Sequence, residues 1–284
     1  MRIPFYKMTG SGNDFILIDN RESIVDADRC VELVKSACLR KFSVGADGLI
    51  LIEKDGKVDF RWRFFNADGS EAEMCGNGGR CAARFAYLKG IVKKPQISFR
   101  TIAGIIRAEV KDTKVKLEMT PPESLETDFD LQLPGRVVRC NFVNTGVPHT
   151  VILLDNVNEL KKYNVFEVGR TIRYHKRFQP AGTNVNFVVA TGPHSMSIRT
   201  YERGVEDETL ACGTGSIAGA IIGAYKGLVE PPVEMKTQSG ETLTIYFDRN
   251  DSSFCNVFLE GDALVVYDGN LWDETIVRKE NKDF

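Results

Sequence analysis

The chain carries one pattern twice, and this internal duplication limits the folds that it can adopt. The segment KMTGSGNDFILIDN (Lys7–Asn20) aligns without gaps on VNTGVPHTVILLDN (Val143–Asn156), an offset of 136 residues. The segment CGNGGRCAARFAYLKG (Cys75–Gly90) aligns in the same way on CGTGSIAGAIIGAYKG (Cys212–Gly227), an offset of 137 residues. Two distant matches with nearly one offset indicate two copies of one unit.

A third match, TIAG (101–104) on TQSG (237–240), keeps the same spacing. A period of this length is that of a domain and not that of a solenoid repeat, so the simplest account is duplication of one α/β unit. We therefore predict an α/β (α+β) fold with two pseudo-symmetric lobes. The N-terminal lobe is expected to span residues 1–120 and the C-terminal lobe residues 121–263. The tail from about 264 to 284 is expected to return to the first lobe.

Apolar runs bounded by turn residues predict strands in both copies. They are FILID (15–19), GLILIE (48–53), FRWRFFN (60–66), VILLD (151–155), VNFVVA (185–190) and SIRTYE (197–202). Each CGxG opens a segment rich in alanine and aliphatic residues that ends in Lys-Gly, which predicts a helix closed by a left-handed glycine at Gly90 or Gly227. Because Thr214–Lys226 is apolar nearly all round, we expect it to be buried on most sides, for example inside a curled sheet.

Composition and charge restrict the class of partner. The 284 residues are 43% hydrophobic, and 37 basic and 39 acidic side chains give a net charge of -2. This balance is typical of a soluble globular protein that binds a small molecule, and it does not favour nucleic acid or a membrane surface. The start of the chain lacks an apolar signal core, and no stretch approaches the roughly 18 apolar residues that span a bilayer, so we expect a cytoplasmic protein.

Seven cysteines, an odd number, are expected to be reduced thiols in such a protein. The chain has no CxxC pair, and its three histidines do not stand at zinc-ligand spacings from any cysteine, so no metal site is predicted. Cys30, Cys38, Cys140 and Cys255 fit the role of small buried hydrophobes. Cys75 and Cys212 differ, because each stands at the same place in its copy, directly before a glycine-rich helix start.

These two positions suggest acid/base chemistry. The N–H groups and positive dipole end at a helix start favour the reactive thiolate and can also bind a carboxylate. In lobes related by pseudo-symmetry, Cys75 and Cys212 are expected to face one another across a cleft. Two thiols on opposite sides of one carbon suit inversion of a stereocentre, because one face loses a proton while the other gains one. This chemistry requires no cofactor.

Other interpretations of the same residues stand beside this one. GSGN near Asn13 or CGNGG near Asn77 could cradle a phosphate, although neither matches a P-loop. Two thiols at helix starts could form a redox pair, or the pair could be purely structural. The chain could also be a non-catalytic amino-acid-binding protein. The adjacent polar residues favour catalysis over packing alone, because burying polar groups is costly.

Two segments then carry a family resemblance, NADGSEAEMCGNGGRC (Asn66–Cys81) and YERGVEDETLACGTGS (Tyr201–Ser216). Together with KMTGSGNDF, GADG, GVPH and GTNVNF in the same order, the chain resembles the diaminopimelate epimerase family nearly end to end. Proline racemases and related epimerases share the two-thiol plan and are the alternative. Their first motif is typically CGHG, and they lack the ERGVEDET stretch.

The resemblance implies two lobes of mixed β-sheet, each curled around a central helix, and a cytoplasmic homodimer. It also implies cofactor-independent interconversion of LL- and meso-diaminopimelate, a step of lysine and peptidoglycan precursor biosynthesis. Cys75 and Cys212 would be the two acid/base groups, on opposite faces of the reacting carbon.

The resemblance implies roles for further residues as well. The carboxylate at the reacting end would be bound at the helix starts by Gly76, Asn77, Gly213 and Thr214. The rest of the substrate would be held by Asn13, Asn66, Asn184, Glu202 and Arg203, with the Arg203 guanidinium on the distal carboxylate. His149 and Glu202 would tune thiol protonation. The simpler interpretations are that Glu202 is a solvated charge and that His149 caps a turn.

Three departures from the family pattern concern the substrate contacts. Val147 stands where many members have the asparagine of GNPH, so a side-chain amide is missing there. Gly48 replaces a glutamine found in some members. The ERGVEDET stretch is one residue longer than the ERGVGET form, which is expected to alter the loop before Cys212.

Overall fold

A computed structural model describes residues 2–250 and 253–276 of the chain. The chain divides into two compact units. The first comprises the residues up to Leu117 and those from Gly261 onward, and the second is Glu118–Glu260. The predicted returning tail is described only as far as residue 276, so residues 277–284 of that prediction lie outside the described part of the chain.

The first unit begins with strands around two helices. In chain order these elements are β1 (Arg2–Gly10), β2 (Asn13–Asp19), α1 (Ala27–Cys38), β3 (Gly48–Glu53), β4 (Phe60–Asn66), β5 (Glu71–Ala72), α2 (Gly76–Leu88), β6 (Gln96–Thr101), β7 (Gly104–Lys111) and β8 (Lys114–Glu118). The predicted strands 48–53 and 60–66 coincide with β3 and β4.

The second unit repeats this succession. Its elements are β9 (Glu123–Leu133), β10 (Arg136–Asn144), β11 (Pro148–Leu153), α3 (Val157–Lys162), α4 (Val165–Arg173), a 3-10 turn (Lys176–Phe178), β12 (Asn184–Gly192), β13 (Ser195–Glu202), β14 (Asp207–Thr209), α5 (Gly213–Tyr225), β15 (Val233–Lys236), β16 (Thr242–Asn250) and β17 (Ser253–Asp262). The first unit resumes with β18 (Leu264–Trp272) and α6 (Asp273–Ile276).

Strand pairing follows one plan in both units. The order is β18-β1-β2-β3-β4-β6-β7-β8 in the first unit and β9-β10-β11-β12-β13-β15-β16-β17 in the second. Parallel pairs occur at the same two places, β2–β3 and β4–β6 against β11–β12 and β13–β15, and the other pairs are antiparallel. The mixed sheets and the duplicated unit that the sequence predicts are therefore confirmed.

Each unit has one helix surrounded by its sheet. Helix α5 contacts β10 to β13 and also β15 and β16, and its Ile217, Ile221 and Ile222 are fully buried in a core formed with those strands. Helix α2 likewise contacts β1, β2, β3 and β7. A sheet can touch one helix with so many strands only if it curls, so the predicted central helices are confirmed.

The sheets are also covered on their other face, which buries the strands on both sides. Ile16 and Ile18 of β2 pack in the core formed with α1, and Phe187 of β12 packs in the core formed with α4. This two-sided burial explains why runs such as FILI and VNFVV show no alternation with polar residues. None of the helices among the described residues is long and apolar enough to cross a membrane.

Both central helices end as predicted. Gly90 and Gly227 have φ angles of 66° and 70°. Their N–H groups and those of the next residues bond back to the last helical turn, from Gly90 to Tyr87 and from Gly227 to Ala224 among others. This is the left-handed glycine closure common at helix ends. The two cysteines lie at the opposite ends of these helices, where each is the residue before the first helical turn.

Candidate active site

Cys75 is the residue that caps the start of α2. Its backbone is extended, with φ -144° and ψ 118°, and its Sγ accepts a hydrogen bond of 3.5 Å from the N–H of Gly78. The N–H groups of Gly76 and Asn77 precede the first possible acceptor inside the helix. The helix start thus offers two backbone donors beside a thiol, an arrangement that stabilises negative charge on the sulfur and on a bound carboxylate.

Cys212 repeats this arrangement at the start of α5. Its backbone angles are φ -122° and ψ 112°, and its Sγ accepts a bond of 3.4 Å from the N–H of Gly215. The Thr214 hydroxyl lies 3.6 Å from the same sulfur. A Cβ at Gly215 would lie 3.2 Å from the Cys212 Sγ and 2.3 Å from Oδ1 of Asn186. Position 215 therefore requires glycine, because any side chain would push these groups away.

In the first unit, four side chains form a directed hydrogen-bond relay. Nη2 of Arg80 donates to Oδ1 of Asn77 at 2.9 Å and to the hydroxyl of Ser11 at 2.7 Å. Nδ2 of Asn77 donates to Oδ1 of Asn13 at 2.8 Å, and Nδ2 of Asn13 donates to Asp47 at 2.9 Å. Because an arginine only donates and a carboxylate only accepts, the two ends fix the orientation of both amides. The relay brings together two predicted residues, Asn13 and Asn77.

Asp47 belongs in turn to a charged cluster. The Arg40 guanidinium pairs with both Asp47 and Asp14, at 2.8 and 2.6 Å, and Lys7 pairs with Asp14 at 2.8 Å. Burial alone would raise the pKa of Asp14, but the hydrogen bonds from Arg40 and Lys7 lower it below its usual value. The relay therefore ends in a carboxylate that is itself held in place.

Asn66 lies at the end of β4, apart from the relay. Its Nδ2 donates to the hydroxyl of Ser70 at 3.0 Å, within its own turn, and its side chain is exposed. Gly48 of β3 is its partner across the sheet. A Cβ at Gly48 would lie 2.5 Å from the carbonyl oxygen of Phe65 and 2.6 Å from the ring of Phe64. The Phe64 ring thus occupies the space into which a glutamine at position 48 would project.

His149 is fully buried at the start of β11, so it does not serve as an exposed turn cap. Its Nδ1 lies 3.0 Å from Nδ2 of Asn186, which also donates to the carbonyl oxygen of Thr150 at 3.1 Å. The hydroxyl of Thr200 donates to Oδ1 of the same asparagine at 3.0 Å. Burial, with a smaller contribution from the charge of Arg203, lowers the pKa of His149 to about 3. The imidazole is therefore neutral near pH 7.

Glu202, Arg203 and Asn184 lie together at the end of β13 and the start of β12. Burial raises the pKa of the Glu202 carboxyl, and a bond of 2.8 Å from the hydroxyl of Thr209 opposes this shift. Oδ1 of Asn184 accepts the backbone N–H of Arg203 at 2.8 Å, while its Nδ2 donates to Pro148. Asn184 thus holds the backbone that carries Arg203. What these three residues do to a substrate stays a prediction.

Sequence reasoning missed several polar partners of the predicted residues. They are Asp47, Arg80, Asn186 and Thr209. A signal existed for two of them. Asp47 stands inside the quoted GADG motif, and Arg80 is a charged residue whose immediate neighbours in the sequence, two glycines before it and Cys81 and Ala82 after it, are all small.

Val147 directly precedes β11. Its carbonyl oxygen accepts the N–H of Thr145 at 3.1 Å, within the same turn. A cavity of about 530 Å³ in the second unit is lined by residues such as Met196 and Arg199, and none of the predicted site residues lines it. Arg199 pairs there with Glu208 at 2.7 Å, so its role is structural.

Across residues 2–250 and 253–276, no three His, Cys, Asp or Glu side chains gather closely enough to hold a metal ion.

Comparison with known proteins gives a consistent set of relatives. Residues 5–125 and 141–265 match the family model described as diaminopimelate epimerase. The diaminopimelate epimerase of Aquifex aeolicus (strain VF5) is 48% identical and covers 96% of this chain and 99% of its own length. That of Hydrogenobaculum sp. (strain Y04AAS1) is 51% identical, with 93% and 97% covered. A PhzF-family phenazine biosynthesis protein of Bacillus anthracis shares the fold, with a TM-score of 0.74, 14% identity, and 96% and 99% covered.

Proposed function

Because this chain belongs to the diaminopimelate epimerase family, we propose that it interconverts LL- and meso-2,6-diaminopimelate by moving a proton at one α-carbon. The observation that carries the proposal is the pair of equivalent thiols, each at the start of a central helix with a backbone N–H donating to its sulfur. The reaction would serve lysine and peptidoglycan precursor biosynthesis.

In the proposed mechanism, Cys75 and Cys212 act on opposite faces of the reacting carbon. One enters as a thiolate and removes the α-proton, which leaves a carbanion, and the other enters as a thiol and delivers a proton to the opposite face. The two sulfurs end with exchanged protonation states, so the reverse reaction uses the same groups in exchanged roles. Neither an oxidant nor a cofactor is needed to balance this step.

Binding of the α-carboxylate is assigned to the two helix starts. The backbone N–H groups of Gly76, Asn77, Gly213 and Thr214 can donate to it, and they stabilise the negative charge that develops next to it. The donors are fixed by the helices, so little reorganisation is required when the charge appears. This supports catalysis by electrostatic stabilisation in addition to acid/base transfer.

The rest of the substrate is assigned to polar groups of both units. Asn13 and Asn66 in the first unit, and Asn184, Glu202 and Arg203 in the second, would hold the distal amino and carboxylate groups. Arg203 would pair with the distal carboxylate. His149 stays neutral, so in this proposal it does not act on the thiols through a positive charge.

The proposal extends to assembly, location and cofactor. We propose a homodimer that works in the cytoplasm without pyridoxal phosphate; the thiol pair makes that cofactor unnecessary, and the odd number of cysteines suits a reducing compartment. Light scattering on the purified protein tests the assembly. A mass of about twice the 31.7 kDa chain is expected.

A proton-exchange experiment tests the function. The reduced protein is incubated with LL-diaminopimelate in deuterated water, without added cofactor, and stereochemistry and α-deuterium are followed by NMR. Deuterated meso product is expected. If diaminopimelate keeps its α-hydrogen while proline exchanges, a proline racemase-like activity replaces the proposal, and if neither exchanges, the protein is an amino-acid binder and not an epimerase.

A further inference from the structure

The turn that carries Arg203 is closed by a backbone hydrogen bond and contains a residue with a strained backbone conformation. It runs from Glu202 to Glu206, and the N–H of Glu206 bonds to the carbonyl oxygen of Glu202 at 2.8 Å. Gly204 and Glu206 both have positive φ angles, of 95° and 60°. Glycine adopts this conformation freely, whereas a residue with a Cβ pays about 1–2 kcal/mol. Some other interaction must therefore hold Glu206 in place.

The Glu206 side chain supplies that interaction. Its Oε1 accepts the backbone N–H of Gly204 and the Nε of Arg173, each at 3.0 Å. Nη2 of the same guanidinium forms an ion pair with Oε1 at 3.0 Å. Its Oε2 accepts the hydroxyl of Tyr201 at 3.3 Å. Burial would raise the pKa of this carboxyl, but the bonds from Gly204 and Arg173, with one from Tyr174, lower it. The carboxylate thus ties the middle of the turn to two neighbouring elements.

Those elements are rigid anchors. Arg173 ends α4, and its side chain is 14% exposed; a Cβ at Gly182 would lie 1.6 Å from its Nη1, so the guanidinium fits only over a glycine. Tyr201 is fully buried in β13, and Gly169 of α4 packs directly on it. The Glu206 carboxylate is therefore held between the last residue of α4 and a buried tyrosine of β13.

Arg203 lies in the turn that Glu206 clamps to α4. Its backbone N–H is bound by Asn184, and its Nη1 donates to the carbonyl oxygen of Ala181 at 3.0 Å. Ala181 precedes Gly182, the glycine that faces the Arg173 guanidinium. With the Glu206 carboxylate bonded to Arg173 and to the Gly204 N–H, the Arg203 guanidinium can pair with an external carboxylate.

We propose that Glu206 is a positioning residue for Arg203, so that affinity for the distal carboxylate of the substrate depends on a side chain that does not touch it. This inference rests on the proposed function. It also accounts for the departure ERGVEDET. Where the shorter ERGVGET form has a glycine after the valine, this chain places a left-handed glutamate whose carboxylate secures the turn.

Steady-state kinetics with diaminopimelate test the proposal. Glu206→Ala should raise KM about tenfold and change kcat less than twofold, because a distal contact binds ground state and transition state alike. Glu206→Gln keeps one oxygen acceptor, which can still take the N–H of Gly204, and should recover part of the loss. Asp130→Ala, which breaks the exposed Asp130–Arg139 pair of the same unit, is the matched control and should leave KM unchanged.

A double-variant cycle separates positioning from a general loss of structure. In an Arg203→Ala background, Glu206→Ala should raise KM no further, since Glu206 acts only through Arg203. Independent, multiplying effects of the two substitutions would overturn the proposal, as would an unchanged KM in folded Glu206→Ala.

Hydrogen exchange distinguishes failure of the clamp from failure of the proposed function. Without substrate, the Gly204 amide should exchange at least about tenfold faster in Glu206→Ala than in the wild type, because its acceptor is gone. Equal protection in both proteins would overturn the clamp whatever the activity. A wild type that leaves diaminopimelate unchanged, with the clamp confirmed by exchange, would instead overturn the assignment of the substrate.

Discussion

Nδ2 of Asn186 lies 3.0 Å from Nδ1 of His149, and this contact determines where the buried imidazole carries its proton. Because the same Nδ2 donates to the carbonyl oxygen of Thr150, and Oδ1 accepts from Thr200, the amide can present only a donor to the ring. Nδ1 must then accept, and the proton of the neutral ring resides on Nε2. Within the described residues, Nε2 is buried without a hydrogen-bond partner.

This neutral imidazole predicts a specific loss of stability in acid. Its pKa is about 3 when folded and near 6.5 when exposed, so below pH 6.5 the unfolded chain takes up a proton that the folded chain refuses. The free energy of unfolding therefore shows no loss from His149 above pH 6.5, and it falls as the pH drops from 6.5 towards 3. At pH 5 the loss should be about 2 kcal/mol relative to pH 7.

Urea denaturation of the wild type and His149→Asn measures this effect, and asparagine is the residue at the equivalent place of the first unit. The variant should lose less stability than the wild type between pH 7 and pH 5. Parallel curves for the two proteins would mean that His149 is not held neutral by the fold.

The close packing around Gly48 predicts that the glutamine found in some family members would destabilise this protein. A side chain there would meet the Phe65 carbonyl and the Phe64 ring at 2.5 and 2.6 Å. Gly48→Gln should therefore lower the unfolding free energy by roughly 1–3 kcal/mol, the usual cost of overpacking. Gly56→Ala is the control, because a Cβ at Gly56 meets nothing within 4 Å, and its effect should stay within about 0.5 kcal/mol. Chemical denaturation measures the unfolding free energy of both variants and of the wild type. Equal values for Gly48→Gln and the wild type would show that Phe64 moves aside easily.

The relay predicts that Arg80 affects catalysis although it is assigned no contact with the substrate. Arg80→Met removes one of the two ends that fix the relay, the donor to Asn77, and leaves Asp47 as the only fixed end beside Asn13. We expect kcat/KM for diaminopimelate to fall at least about tenfold, which corresponds to about 1.4 kcal/mol of transition-state stabilisation.

Arg84→Met offers a matched control one helical turn further along α2. Arg84 donates to the backbone carbonyls of Asp112 and Ala263 and not to the relay. Its kcat/KM should change less than about twofold. Equal losses in the two variants would indicate a general disturbance of α2 instead of a role for the relay.

Local and periodic features of the fold were predictable from the sequence. The strands at 48–53 and 60–66, the helix starts at Cys75 and Cys212 and the glycine closures at Gly90 and Gly227 all follow from short-range chemistry. The duplication added the equivalence of the two units, which no single segment could reveal. Sequence periodicity could identify helix α5 as buried because almost every one of its positions is apolar.

The polar partners were not predictable, because their contacts join residues distant in the chain. Arg80 meets Ser11 across 69 residues, and Asn186 meets His149 across 37. Nothing local distinguishes an arginine that orients an amide from one on a solvated helix face. The sequence shows only that the ERGVEDET stretch is one residue longer, since the left-handed backbone of Glu206 and its bond to Arg173 exist only in the folded turn.

Variants that lack one of the two cysteines test whether both thiols are needed for the proposed reaction. Cys75→Ala and Cys212→Ala are each incubated with LL-diaminopimelate in deuterated water beside the wild type, and circular dichroism establishes that each is folded. Both variants are expected to form meso product at least about 1,000-fold more slowly, since each lacks the acid or base for one face of the carbon. Turnover comparable to the wild type in either folded variant would contradict the two-thiol mechanism.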